Sequence, residues 1–248
     1  MKRMFQFVFS LFCMVAFAQT GKANSGKIYA KKTVAQSNPD LVKINDSVAA
    51  LIPFRQQGNF GFKNQKGKVI IKPVYSNVGF FTEDCNLLSS PNEKVRKFGS
   101  SKYASVRADG IDFRIDQRGK RVYRFKDSDL GKCENGFKKQ LFHGYMKNGF
   151  YGIIEDSVFE NPEDYRQYRI YPQYQYVHIL EGDDLNNPMI IASHNNRFGI
   201  IDVNNKIIVP FDYADIKPNY SWKLARLFQV SKDGKEYYYV DSRNRAYR

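Results

Sequence analysis

Short runs of β-branched and aromatic residues, separated by polar turns, make up most of the chain from residue 60 onwards. Typical turns are Gln65-Lys66-Gly67, Asp109-Gly110 and Asp233-Gly234. Runs of this length, bounded by Gly, Asn and Asp, indicate strands joined by tight turns. No stretch in this part keeps a helical period for three turns. The pattern therefore predicts an all-β protein.

The residues just before this region have a different pattern. Leu41, Ile44 and Val48 lie near helical spacing, whereas Leu51-Ile52-Pro53-Phe54 is typical of a short strand closed by proline. We therefore expect a short helix that leads into a strand.

One pattern recurs along the chain. Residues 59–75 and 197–213 both contain an aromatic-Gly pair, an apolar strand, a polar turn, a β-branched run, and then Pro and Tyr. The pattern is traced five times, with units that begin near Phe60, Asp112, Tyr151, Phe198 and Tyr237. The third unit has a long insertion in its turn, residues 156–167. Repetition of this kind predicts an array of about five antiparallel β-hairpin-like units, either propeller-like or an open solenoid.

The three best-preserved units supply the residues to which we assign a structural role in the repeat. These residues are Phe60, Gly61, Pro73, Tyr75, Tyr151, Gly152, Pro172, Tyr174, Phe198, Gly199, Pro210 and Tyr213. The glycine leaves bare backbone that an aromatic ring can cover, and the proline ends the second strand because it cannot donate to a ladder. Asn64, Asp116 and Asp202 precede the turns, where a short polar side chain accepts hydrogen bonds from turn backbone. A lone hairpin is marginal in water, so the units must share a core.

These units resemble those of the bacterial WG-repeat proteins over about residues 50–248. The stretches Tyr103-Ala104-Ser105-Val106 and Leu224-Ala225-Arg226-Leu227 resemble the strand that opens the family's unit, and Phe60-Gly61 resembles its Trp-Gly pair. The chain departs from the family because it has no Trp-Gly pair, and Trp222 lies outside the motif. The resemblance implies an all-β repeat architecture, an interaction role and no catalytic residues.

The N-terminus has the pattern of a cleaved secretory signal. Lys2 and Arg3 precede an apolar run at residues 5–17, and Ala16-Phe17-Ala18 has the small residues that a signal peptidase requires. The run is shorter than the ~20 residues of a membrane-spanning helix. We predict a signal peptide at 1–18, a flexible leader at 19–48 and the repeat array at 49–248. The mature protein is then secreted, periplasmic or on the outer surface, without a transmembrane segment.

Cleavage would leave Cys85 and Cys133 in a compartment where disulfides form. A bridge requires Cα atoms within about 7 Å of each other. The sequence does not decide between a bridge and two free thiols. No spacing of Cys with His resembles a zinc site.

The chain contains no recognisable catalytic motif. His143, His178 and His194 lack the contexts of known nucleophile or metalloprotease motifs. A His-Asp pair, for example with Asp183, is the basis of an alternative hypothesis, a hydrolase of cell-envelope polymers. The insertion in the third unit offers clustered carboxylates without EF-hand spacing, namely Glu155, Asp156, Glu160, Glu163 and Asp164. We therefore predict no catalytic residue, no metal and no cofactor.

The strongest functional signal outside the repeat is the basic charge. The net charge is +14, and loss of Lys2 and Arg3 with the signal lowers it to +12. Basic residues concentrate in two segments, which supply the candidate binding residues Lys94, Arg96, Lys97, Lys102, Arg118, Lys120, Arg121, Arg124 and Lys126. Such a surface attracts polyanions by counterion release. Because a secreted protein seldom meets nucleic acid, the expected partner is a protein or an anionic envelope polymer. The sequence thus predicts a non-catalytic binding or scaffold protein, and it leaves the oligomeric state open.

Overall fold

Each repeat unit forms its own antiparallel sheet. A computed structural model describes residues 40–41, 43–133, 139–159 and 168–248, which belong to one compact unit, Ser37–Arg248. The predicted signal peptide and most of the predicted leader lie outside the described residues. Within the described residues, eighteen strands form five sheets of three or four strands, which confirms the all-β repeat array.

The sheets follow one another along the chain, and in each sheet consecutive strands are neighbours. Sheet 1 contains β1 (Leu51–Gln56), β2 (Asn59–Asn64) and β3 (Val69–Tyr75). Sheet 2 contains β4 (Asn77–Phe81), β5 (Ala104–Ala108), β6 (Ile111–Ile115) and β7 (Arg121–Arg124). Sheet 3 contains β8 (Phe142–Lys147), β9 (Phe150–Glu155) and β10 (Tyr168–Tyr174). Sheet 4 contains β11 (Tyr176–Ile179), β12 (Ile190–His194), β13 (Arg197–Ile201) and β14 (Ile207–Tyr213). Sheet 5 contains β15 (Asp215–Ile216), β16 (Phe228–Ser231), β17 (Tyr238–Val240) and β18 (Ala246–Tyr247).

Short helices and helical turns lie in some of the connections between strands. The α-helices are α1 (Cys85–Leu88), α2 (Glu93–Arg96) and α3 (Ser221–Ala225). Further 3₁₀ turns span Lys97–Gly99, Asp127–Asp129 and Asp156–Val158. None of these elements interrupts a sheet, because they all lie between strands.

The units are larger than the predicted hairpins. The hairpin of each unit is preceded by one or two further strands, such as β1 before β2 or β4 and β5 before β6. The added strand pairs with an edge that a lone hairpin would leave open to water.

Two predicted elements are wrong. The described residues between 43 and 50 form turns and bends, not a helix. They are held by Gln65, whose Oε1 accepts from the backbone N–H groups of Ile44 and Asn45 at 2.8 and 2.9 Å. The second is the strand predicted at residues 224–227, where α3 ends and Arg226 adopts a left-handed conformation with φ 57°.

The aromatic-Gly pair faces the Pro-x-Tyr end of the next strand in three units. The paired residues are Phe60 with Tyr75, Tyr151 with Tyr174, and Phe198 with Tyr213. In all three hairpins the register shifts between this pair and the rest of the ladder. The facing strand therefore bulges toward the glycine.

This bulge gives the glycine a different role from the one predicted. A Cβ added at Gly61 would lie 2.8 Å from Pro73 N, and one at Gly152 would lie 2.7 Å from Pro172 N. At these positions the backbone of the facing strand covers the glycine, and at Gly199 the Phe211 ring also approaches to 3.0 Å. The glycine is thus required by a close approach of two backbones.

The predicted role of the Asn or Asp before the turn is confirmed. In four units its Oδ1 accepts from the backbone N–H groups two and four residues later, at 2.9 to 3.0 Å. The acceptors are Asn64, Asp116, Asp202 and Asp241. One short polar side chain therefore fixes each turn, as in an Asx-turn, and in three of the four units it is buried.

Tyrosine hydroxyls connect three of the sheets, sheets 1, 3 and 4, to the turn of the following sheet. Tyr174 donates to Asn205 Oδ1 and Tyr213 donates to Asn244 Oδ1, both at 2.6 Å. Tyr75 reaches the carbonyl of Gly119 at 3.4 Å. Burial is the main cause that raises the pKa of Tyr213 to about 12. The repeat Tyr is therefore an inter-sheet contact as well as a core residue.

We expect Tyr174→Phe and Tyr213→Phe each to lower the free energy of unfolding by about 1 kcal/mol, because each leaves an amide oxygen without its hydroxyl donor. Urea denaturation measures this loss. Tyr220→Phe is the control, since Tyr220 is 58% exposed. Equal losses in all three variants would contradict the inter-sheet role.

Apolar cores lie between neighbouring sheets. Buried clusters join sheets 1 and 2, sheets 3 and 4, and sheets 4 and 5. A further cluster joins the two ends of the array, with Ile52 from sheet 1 packed with Tyr247 from sheet 5 and with Leu227, which precedes β16. Asn45 Nδ2 also donates to Asp241 Oδ2 at 3.1 Å. In the described residues each ladder stays within its own sheet, so the array is not a closed barrel.

Candidate functional site

The nine basic residues predicted as a binding surface all belong to sheet 2. Four lie in the insert between β4 and β5, residues 82–103, which contains α1 and α2. The other five lie on β7 or in the turns beside it. The structure thus places the two basic segments of the sequence on one sheet. All nine side chains are exposed, and we call these nine residues the basic surface.

An aromatic contact joins the two halves of the basic surface. The ring of Phe98, next to Lys97, stacks on the ring of Tyr123, next to Arg124, with centroids 5.2 Å apart and planes at 19°. Tyr123 donates to Asp129 Oδ2 at 2.7 Å. Burial and this hydrogen bond raise the pKa of Tyr123 to about 12. The hydroxyl therefore stays a donor at neutral pH.

Arg114 fixes the insert on the sheet. This side chain on β6 is only 1% exposed. Its guanidinium donates to the carbonyls of Phe98, Thr82 and Ser100 at 2.9 Å, and to Ser105 Oγ at 3.0 Å. Burial lowers the pKa of Arg114 from its usual value. A cation buried in this way acts as a structural cross-link, because its donors are used within the protein.

A disulfide gives the insert a second attachment. Cys85 on α1 is bonded to Cys133, with Cα atoms 5.4 Å apart, so the two cysteines are not free thiols. The Gly131 amide donates to the Asn86 carbonyl at 2.9 Å beside this bond. The insert is thus tied to the segment that follows β7.

The charges of the basic surface are mostly not neutralised. Arg96 lies 4.0 Å from Glu93, which is itself highly exposed. Among the described residues, the other eight cations form no ion pair. Lys97 lies over the Phe98 ring at 4.9 Å and Arg121 lies over the Phe113 ring at 4.4 Å. Stacking on a ring leaves donors free for an anion.

A histidine and an aspartate do pair, but not as predicted. His143 Nε2 lies 2.8 Å from Asp156 Oδ1, and Lys139 Nζ lies 2.6 Å from the other oxygen. Lys139, and then His143, lower the pKa of Asp156. Asp183, the predicted partner, instead pairs with Arg226 at 2.8 Å. In the part of the chain that the structure describes, no hydroxyl or thiol is hydrogen-bonded to His143.

The described residues contain no group of His, Cys, Asp or Glu that could hold a metal ion. Of the acidic insertion, Glu160, Glu163 and Asp164 lie outside the described residues. No helix in the described ranges is long and apolar enough to cross a membrane.

Two segments, residues 60–85 and 198–235, match the family model of the WG containing repeat. These two segments are similar to WG repeats. The search of curated proteins gave no match. One solved structure, titled "Crystal structure of the eukaryotic initiation factor", aligns with 79% of this chain and 51% of its own at 11% identity, with a TM-score of 0.27. The chain thus spans about half of that structure, and a likeness this low informs neither fold nor function.

A groove that the sequence did not reveal as a site lies where sheet 1 meets sheet 5. It has a volume of about 330 Å³. Its walls include Phe54, Lys63, Tyr238 and Arg248. These residues come from opposite ends of the array, so no local spacing connects them. The run Tyr237-Tyr238-Tyr239 was the one signal in the sequence, since three consecutive tyrosines exceed what one buried face of a strand uses.

Proposed function

We propose that this protein is a non-catalytic binding or scaffold protein that recognises an anionic polymer or protein through the basic surface. One observation carries the proposal: eight exposed cations on one sheet have no carboxylate partner among the described residues. The N-terminal signal pattern supports a working place in the secreted, periplasmic or outer-surface space.

The structure beneath the basic surface suits this role. Arg114 and the Cys85–Cys133 bond hold the insert in place before a partner binds. A surface that is ordered in advance loses little conformational entropy on binding. The unpaired cations raise the local concentration of an anionic partner and increase its rate of association.

Charge reversal at three positions tests the proposal. We expect Lys97→Glu, Arg121→Glu and Arg124→Glu together to weaken binding to dextran sulfate and to polyglutamate on the order of 30-fold, because each change replaces an attraction by a repulsion. Surface plasmon resonance at low salt measures the effect. In 0.5 M salt, wild-type binding should also be largely lost, since the screening length falls well below the roughly 10 Å found at 0.1 M.

A matched control variant distinguishes a localised binding site from an effect of the protein's overall net charge. Lys66, Arg197 and Lys206 are also exposed and lie on sheets 1 and 4. Reversal of these three to Glu changes the net charge by the same amount, and we expect binding to fall only slightly. Equal weakening by both triple variants, or none by the first, would contradict a basic surface on sheet 2. Circular dichroism confirms that both variants keep their strands.

A further inference from the structure

We infer that the groove between sheets 1 and 5 is a second binding site, and that it takes an oligosaccharide with carboxylate-bearing sugars. The groove volume of about 330 Å³ falls within the range of small-molecule sites. It is separate from the basic surface, since none of the nine basic residues lines it.

Aromatic side chains form much of the groove wall. Phe54 comes from β1, Tyr238 comes from β17 and Tyr247 comes from β18. Aromatic side chains offer a large apolar contact area for the C–H groups of a sugar, and the tyrosine hydroxyl end remains polar. The Tyr247 hydroxyl is already used, because it donates to Asp241 Oδ2 at 3.0 Å. Phe54 and Tyr238 are both partly exposed, as are Tyr237 and Tyr239, which also line the groove.

Cations stand over the rings of Phe54 and Tyr238. Lys63 Nζ lies 4.4 Å from the centroid of Phe54, and the guanidinium carbon of Arg248 lies 4.4 Å from the centroid of Tyr238. Neither cation forms an ion pair with another described residue. A ring with an adjacent unpaired cation matches a sugar ring that bears a carboxylate, since the cation can donate to the carboxylate oxygens.

Two carboxylates, Asp233 and Glu236, line the groove together with four cations, Arg55, Lys63, Lys232 and Arg248. The backbone N–H groups of Glu236 and Lys235 lower the pKa of Asp233 to about 2, so it is ionised at neutral pH. Fixed negative charges repel a densely charged chain, but they accept hydrogen bonds from hydroxyl groups. The groove, which carries both signs of charge, therefore suits a ligand that has hydroxyl groups as well as carboxylates.

Isothermal titration calorimetry with trigalacturonate, at low salt, tests the inference. We expect binding by the wild-type protein, and roughly tenfold weaker binding after Lys63→Gln because one charge-assisted hydrogen bond is lost. The carboxyl-reduced trisaccharide should bind more weakly to the wild type and should not distinguish wild type from Lys63→Gln. Tyr238→Ala should weaken both ligands. Lys206→Gln, on the exposed turn of sheet 4, is the matched control and should change nothing.

The triple reversal of Lys97, Arg121 and Arg124 separates this site from the basic surface. We expect that variant to keep trigalacturonate binding while it loses dextran sulfate. The inference is overturned if the wild type binds trigalacturonate with a Kd weaker than about 1 mM. It is equally overturned if the triple variant loses binding while Lys63→Gln keeps it, or if inorganic polyphosphate competes at the groove more strongly than the sugar acid. Lys63→Gln is a mild change at a partly exposed position, so the test does not depend on Tyr238→Ala being folded.

Discussion

Replacement of Cys85 and Cys133 by serine is expected to lower the free energy of unfolding by about 4 kcal/mol, the value that the chain-entropy model gives for a loop of this length. The disulfide closes a segment with a sequence separation of 48 residues. That segment includes the insert from Cys85 onwards and all of β5, β6 and β7, so most of sheet 2 lies inside the loop. Without the bond, the unfolded chain has more conformational entropy, whereas the folded sheet changes little. The unfolded state is therefore favoured.

Guanidinium denaturation of the oxidised wild type and of the double serine variant measures this difference. Wild type in excess dithiothreitol is the control, and it should match the variant because both lack the bond. The same reductant should leave the variant itself unchanged. A double variant as stable as the oxidised wild type would show that the bond does not stabilise this fold.

We expect the double serine variant to keep most of its affinity for dextran sulfate, although its free energy of unfolding falls. The four hydrogen bonds of Arg114 still hold the insert on β6 when the disulfide is absent. Stability and binding therefore rest on different contacts of the same insert. Loss of binding as complete as in the charge-reversal variant would show that the disulfide also positions the cations.

The fold was predictable where the determinants are local. Phe198-Gly199, Pro210 and Tyr213 lie within one hairpin, and their pattern gives the strands and the turn directly. Asp202 was equally readable, because its acceptor role involves only the next four residues. The two-residue strand β15 was not predictable, since two residues show no period and its pairing comes from β16.

Contacts between units were beyond the sequence for a different reason. The hydrogen bond from Tyr174 to Asn205 and the packing of Ile52 with Leu227 depend on how sheets stack, which no spacing encodes. The disulfide stayed undecided for the same reason, because its geometry is set by the insert. The starts of the four-residue helices α1 and α2 had a local signal in the sequence, because Asp84 and Asn92 are N-cap residues that each accept from a backbone N–H.

The candidate sites likewise have features that the sequence predicted and features that only the structure shows. The clusters of Lys and Arg were visible in the sequence because charge is a property of composition. Their union into one surface depends on the stacking of Phe98 on Tyr123, which only the structure shows. The groove could not be assembled from the sequence, because Phe54 and Tyr238 lie at opposite ends of the array, although the run of three tyrosines marked one of its walls.

Gly152→Ala is expected to lower the free energy of unfolding by about 3 kcal/mol, at the upper end of the cost of overpacking in a well-packed interior. The added Cβ would lie 2.7 Å from Pro172 N and 2.9 Å from the carbonyl carbon of Tyr171. These are backbone atoms of β10, held by the pairing of Tyr174 with Tyr151, so they cannot rotate away as a flexible side chain would. Strand β10 must shift as a whole, and the inter-sheet hydrogen bond of Tyr174 must shift with it.

Gly79→Ala is the matched control, because Gly79 also lies in a strand but has its nearest atom, Ser105 O, at an ordinary 3.7 Å. The control should be as stable as wild type or slightly more stable, by about 0.5 kcal/mol, since alanine restricts the unfolded chain. Urea denaturation of both variants, followed by circular dichroism, makes the comparison. The two glycines differ mainly in the distance to the facing backbone, so a large loss confined to Gly152→Ala assigns the aromatic-Gly pair of the repeat to close strand packing. A loss of the same size in both variants would instead show that these strands do not tolerate a side chain at either glycine. The bulge over Gly152 would then have no special role.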